Sequence, residues 1–173
     1  MPGPVGISTA EGRRWASRIH QIVTADGATI DFHGTAEERI LSDDELREVT
    51  DNDVITLLTP AVELINAFGC QNLTDASLTA VAANCPNLVE LRIGSERVTA
   101  ASIRAVTRHC LKLSRLQLFG CNEITDIGAE NCPNLKWLVT FFCNKLTDAS
   151  ITAVAEHCPK LEMLAVSRCT KLT

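Results

Sequence analysis

Apolar residues in this chain follow two alternating periods. Leu78, Val81 and Cys85, and again Ile151, Val154 and Cys158, sit at i, i+3 and i+7, one face of an α-helix. Leu91/Ile93, Leu116/Leu118, Leu138/Thr140 and Leu164/Val166 recur at every second position, the spacing of a strand with one face buried. The two periods interleave because the chain repeats itself. Thr74 to Val81 reads TDASLTAV and Thr147 to Val154 reads TDASITAV, each followed by Cys-Pro at Cys85-Pro86 and Cys158-Pro159. A repeat of this length is the signature of stacked units, each too small to bury its own apolar face, that share one continuous core.

Each unit runs Cys, two residues, Leu or Ile, Thr-Asp, an apolar helical stripe, Cys-Pro-x-Leu, then Leu-x-Leu before the next Cys. Thr-Asp marks the helix start, since either side-chain oxygen can accept from an unpaired N–H of the first turn. Pro after the second Cys stops the helix. One cysteine column is Cys70, Cys121, Cys143 and Cys169, with Glu96 in the second slot; the other is Cys85, Cys110, Cys132 and Cys158. Upstream, Val49-Thr50-Asp51 with Val54 and Leu57 repeats the helix signal, Val62, Ile65 and Ala67 form a degenerate strand, and Ile30-Asp31-Phe32 predicts an earlier one. That makes six candidate strands. The third unit has seven residues from Thr125 to Cys132 where its neighbours have eleven, so one helical turn is missing there.

The ends differ from the repeats. In residues 1–27 Trp15, Ile19, Ile22 and Val23 form a helical stripe suited to capping the first unit, and solenoid ends require a cap. Residues 28–173 make the repeat domain, with an acidic insertion at 37–48 whose Asp43, Asp44 and Glu45 predict a solvated loop. After Leu172-Thr173 no C-terminal cap is visible.

Charge and composition narrow the function. A net charge of -5 with no basic run argues against nucleic acid, whose affinity rests on clustered Lys and Arg. No apolar signal segment opens the chain and no stretch is long enough to cross a bilayer, so a protein of the cytoplasm and/or nucleus with no membrane partner is expected. The eight cysteines contain no Cys-x-x-Cys, and recurring once per helix and once per strand end they fit buried hydrophobes better than metal ligands or disulfides. His109-Cys110 and His157-Cys158 invite a nucleophile reading, but neighbours on a helix point about 100° apart. Without a phosphate loop or paired carboxylates, the expectation is no enzyme, no cofactor and no metal.

The repeated Cys-x-x-Leu-Thr-Asp and Cys-Pro-x-Leu-x-x-Leu elements resemble the cysteine-containing leucine-rich repeats of F-box/leucine-rich-repeat proteins and related mitotic-exit antagonists, over Val49 to Thr173. The resemblance implies an α/β leucine-rich-repeat solenoid, a horseshoe with parallel strands on the concave face and helices on the convex face. It also implies substrate recognition in SCF-type (cullin) ubiquitin-ligase-dependent degradation, with a ligase adaptor as second partner. Arg13-Arg14-Trp15 through Phe32 looks like the tail of an F-box as well as a plain cap, and only 14 residues precede Trp15. A free-standing scaffold or inhibitor unrelated to ubiquitin is the alternative.

In a Leu-x-Leu strand the leucines face the core and the residues between them face the other side. That puts Asp31, Asn66, Arg92, Gln117, Val139 and Ala165 in a middle row, with Leu64, Glu90, Arg115, Trp137 and Met163 on one flank and His33, Phe68, Gly94, Phe119, Phe141 and Ser167 on the other. The candidate protein-binding site on the concave face is Glu90, Arg92, Arg115, Phe119, Trp137, Val139, Phe141 and Met163. Contiguous exposed aromatics mark interfaces. The competing expectation is that the shortened repeat or a missing C-terminal segment folds over these aromatics and makes them core.

Overall fold

The computed structural model describes residues 18–34 and 39–173. A short helix α1 (Ile19–Ile22) precedes strand β1 (Thr29–Asp31), and two short helices, α2 (Asp43–Glu48) and α3 (Asp51–Ile55), lead to β2 (Leu64–Ala67). Helices and strands then alternate: α4 (Asp75–Asn84), β3 (Glu90–Ile93), α5 (Ala100–His109), β4 (Arg115–Phe119), a 3-10 turn (Ala129–Asn131), β5 (Trp137–Phe141), α6 (Asp148–His157) and β6 (Met163–Ser167). The strands form one open, all-parallel sheet in chain order, β1 to β6. Ile65, Leu91, Leu116, Leu138 and Leu164 lie in register across it, as do Ala67, Ile93, Leu118, Thr140 and Val166. The inward residues of β2 to β5 join Leu78, Val81, Ile103, Val106 and Val154 of the helices in a single core. At β6, the sheet's edge, Leu164 and Val166 remain 40% exposed.

Side chains staple each unit to the next. Thr74 and Thr99 cap their helices by accepting from the N–H of Ala76 and Ala101, both at 3.2 Å. Asp51 and Asp75, the aspartates that open α3 and α4, do something different from the expected second cap. Asp51 accepts from the N–H and hydroxyl of Thr74, and Asp75 does the same for Thr99, so each carboxylate binds the capping residue of the following unit. The ladder lapses where α5 opens on Ala100 instead of Asp. Asp126 turns instead to Arg104 at 2.6 Å, and Asp148 resumes the pattern on Thr173.

Three expectations are corrected. The second slot of the strand-end column belongs to Ser95, not Glu96: Ser95 is buried and its hydroxyl donates to the Leu73 carbonyl at 2.6 Å, whereas Glu96 is exposed. Counting back from the capping threonine rather than forward from the strand identifies it, because this unit lacks one residue in the bend. The short third unit loses its α-helix altogether, since the residues left fill only the 3-10 turn. The acidic insertion, where described, is no loop. Ser42 and Glu45 form a reciprocal capping box at the start of α2, Leu41 and Leu46 enter the core, and the buried Glu45 pairs with Arg18.

Of the N-terminal stripe, Trp15 lies outside the described residues. Ile22 is fully buried, and Val23 forms an antiparallel bridge with Ile30 on the free side of β1.

Candidate protein-binding face

All eight candidate residues stand on the sheet face opposite the core. Glu90, Arg115, Trp137 and Met163 are in register across β3 to β6; Arg92 and Val139 belong to the middle row with Gln117 between them; Phe119 pairs with Phe141. The strands carry these side chains outward because their alternate residues, Leu91, Leu116, Leu118, Leu138 and Thr140, are needed inside. Trp137, Val139 and Phe141 form an apolar line down β5. None is fully buried, and Met163 beside Trp137 is 43% exposed.

Glu90 occupies a different position from its seven companions. Its side chain is only 4% exposed. The carboxylate accepts from Arg92 Nε at 2.6 Å, from Arg115 at 3.2 Å and from Gln117 at 3.4 Å. A buried carboxylate is stable only when paired and hydrogen-bonded in this way. Glu90 therefore serves the face by holding two guanidiniums, on side chains that are themselves 38% and 46% exposed. Arg115 lies over the Trp137 ring, 4.9 Å from its centre. Glu162, next along the same edge, is held below the usual carboxylate range by the hydrogen bond from Lys136 and the charge beside it.

An aromatic row runs along the opposite flank. His33 meets Phe68 edge-on at 5.0 Å, Phe68 meets Phe119 at 4.6 Å, and Phe119 meets Phe141 at 5.3 Å. Phe68, one residue past β2, and Phe119, at the end of β4, meet across Gly94, one residue past β3. A Cβ there would come 3.4 Å from the Phe68 ring and 3.3 Å from the Gly69 nitrogen. His33 and Phe68 thus extend the candidate face beyond the eight residues, and the signal in the sequence was a glycine in a column that is otherwise aromatic from His33 to Phe141. A groove of about 460 Å³ lies beside the row, lined by His33, Asn66, Phe68, Arg92, Gln117 and Phe119 among others.

Beyond the strands, the residue before each strand-end cysteine is left-handed: Gly69, Gly120, Phe142 and Arg168. Non-glycine residues pay a steric cost in that conformation. Phe142 nonetheless exposes nearly half its surface there, with the Arg168 guanidinium 5.2 Å from its ring centre.

All eight cysteines are buried free thiols. Several bond to a carbonyl of the preceding unit: Cys110 to Cys85 at 3.3 Å, Cys143 to Leu118 and Cys169 to Thr140, both at 3.6 Å. Burial pushes the Cys85 thiol up to about 11, and Cys110 and Cys132 up to about 12. At helix ends, His109 Nδ1 contacts the Ala105 carbonyl at the surface while Cys110 points inside. Among the described residues no group of three His, Cys, Asp or Glu converges closely enough to hold a metal ion, and no helix is long and apolar enough to cross a membrane.

No protein-family model matches the chain. It is 30% identical over 125 residues to Antagonist of mitotic exit network protein 1 of Eremothecium gossypii, an alignment covering 67% of this chain and 30% of that protein. To the protein of the same name from Candida glabrata it is 31% identical over 101 residues, 53% of this chain and 19% of the relative. The chain thus spans less than a third of the length of either relative. Among solved structures, the crystal structure of the Rad7 and Elc1 complex in yeast aligns with 74% of this chain and 42% of its counterpart, at 19% identity and a TM-score of 0.49. The repeated units and the two antagonist relatives mark the chain as leucine-rich-repeat-like.

Proposed function

We propose that the chain is a leucine-rich-repeat solenoid with the sheet on its concave side, and that this face selects protein substrates for degradation through a cullin-type ubiquitin ligase in the cytoplasm or nucleus. It performs no catalysis itself. One observation supports the binding role above the rest: Trp137, Val139 and Phe141 stand in line on an open sheet face, with Phe119 and Met163 beside them. Aromatic residues grouped in this way, rimmed by Arg92 and Arg115, have the composition of an interaction hot spot. The ligase role draws its support from the Cys-x-x-Leu-Thr-Asp repeats, which resemble those of F-box/leucine-rich-repeat proteins.

A second reading has its own support. The two relatives are named as antagonists, which favours a face that holds a partner inactive without any ligase. Capture from cell lysate separates the two: co-recovery of a cullin adaptor supports the ligase role, and its consistent absence favours the antagonist. Under either reading Trp137→Ala and Phe119→Ala abolish capture while leaving the melting temperature nearly unmoved. A large fall in melting temperature would make these side chains structural and remove the binding role.

A further inference from the structure

We infer that the partner presents an extended acidic segment to this face, with an Asp or Glu side chain set against Arg92 and Arg115 and an adjacent apolar side chain seated in the groove beside Phe68 and Phe119. This rests on the reading of the face as a protein-binding site and specifies what binds there.

In a chain of net charge -5, β3 and β4 bring two guanidiniums onto one carboxylate, Glu90. The described hydrogen bonds use Nε of Arg92 and a single terminal nitrogen of Arg115. A guanidinium has five N–H donors in a planar fork matched to a carboxylate. The remaining donors belong to side chains that are more than a third exposed, and Glu90 is buried beneath them. The nearest other acids are committed. Glu162 is bonded to Lys136 at 2.8 Å, and Asp31, two strands away in the middle row, accepts from the backbone N–H groups of His33 and Gly34. Arg92 and Arg115 together carry one positive charge more than Glu90, the one carboxylate to which they bond. Arg92 also lines the groove, whose walls include Leu64, Phe68 and Phe119 as well as Asp31. An acid beside an apolar residue satisfies both features, and an extended segment lying on the sheet places successive side chains over neighbouring rows.

The test is selection of peptides from a random library on the whole chain, followed by affinity measurement on the peptides recovered. The expected result is enrichment of Asp or Glu next to aromatic or aliphatic residues. Arg115→Gln, which leaves Glu90 bonded to Arg92 and Gln117, should weaken binding roughly tenfold, the scale of one well-placed charge pair. Glu90→Gln works in the opposite direction: it frees both guanidiniums and should tighten binding of the same peptides, a change that mere damage to the fold would not produce. Selected peptides without acidic enrichment, an affinity indifferent to Arg115→Gln, or no selected peptide at all would overturn the inference. Peptides that still need Phe119 and Trp137 but lack acids sink only the acidic assignment. Peptides indifferent to Phe119→Ala and Trp137→Ala bind elsewhere and take the proposed function down too. Concentration-dependent dimers lost on Trp137→Ala would make a second copy the occupant, which also overturns it.

Discussion

Asp75 grips Thr99 across the gap between two successive units, accepting its backbone N–H at 2.8 Å and its hydroxyl at 2.7 Å. The same threonine caps α5 through the Ala101 N–H. One carboxylate therefore fixes both the start of the next helix and the offset between units. Removing it strands a partly buried N–H and hydroxyl, at a cost of about 2 kcal/mol for bonds to a charged acceptor. Asp75→Ala and Thr99→Ala should each lower the urea midpoint, and the double variant should lose less than the two losses added together, since both remove the bond between the Thr99 hydroxyl and the Asp75 carboxylate. Strict additivity would show that the two residues do not act as a pair.

The stability of the fold should be flat around neutral pH and fall on both sides. Burial works to raise the carboxyls of Asp51 and Asp75, but the bonds from Thr74 and Thr99, with help from Ser77 and Ser102, outweigh it and hold both below the ordinary value of 3.8. Their contribution is therefore complete above that value and disappears as pH drops through the lower folded-state value. The thiols act in the reverse sense. Burial keeps Cys85, Cys110 and Cys132 protonated up to about 11 or 12, against an ordinary value of 9.0, so the unfolded chain gives up these protons first and stability declines from about pH 9 upward. Urea midpoints measured from pH 2 to 11 give the profile directly. A thiol reagent at pH 8 should react slowly with the native protein and count eight thiols once it is unfolded.

Gly128 and Gly120 share a φ of +63° but not their surroundings. A Cβ at Gly128 would sit 2.8 Å from Thr107 Oγ1 and 2.9 Å from Arg104 Cγ, because the shortened third unit runs tight against α5. At Gly120 it would meet nothing within 4 Å. Gly120→Ala should cost only the left-handed strain, about 1 kcal/mol, whereas Gly128→Ala adds a clash worth a further ~1–3 kcal/mol. Thermal melts of the two variants side by side read the difference. Equal losses would mean the third unit has room to move away from α5.

The secondary structure of this chain is local information, and it was legible as such. Period two at Leu116/Leu118 and period 3.6 at Leu78/Val81/Cys85 depend only on neighbours within a turn, and the observed strands and helices follow them. The outward side of each strand follows in turn, because once Leu138 and Thr140 are inside, Trp137, Val139 and Phe141 must be outside. The acidic stretch misled for a related reason. Asp43 and Asp44 suggest solvent, but Leu41 and Leu46 decide the matter by packing on partners distant in the chain.

What the tertiary structure alone decided is everything that depends on the offset between one unit and the next. Whether Asp75 caps its own helix or reaches Thr99, whether Ser95 or Glu96 fills a buried slot, and whether Glu90 is a surface acid or a buried anchor for two arginines are questions of distance between residues some 22 to 27 positions apart. Phe68 and Phe119 meet across Gly94, each reached from a different unit of the chain. A repeat pattern specifies what each unit contains; the hydrogen-bonded register of the parallel sheet and the packing beneath it specify which contents meet.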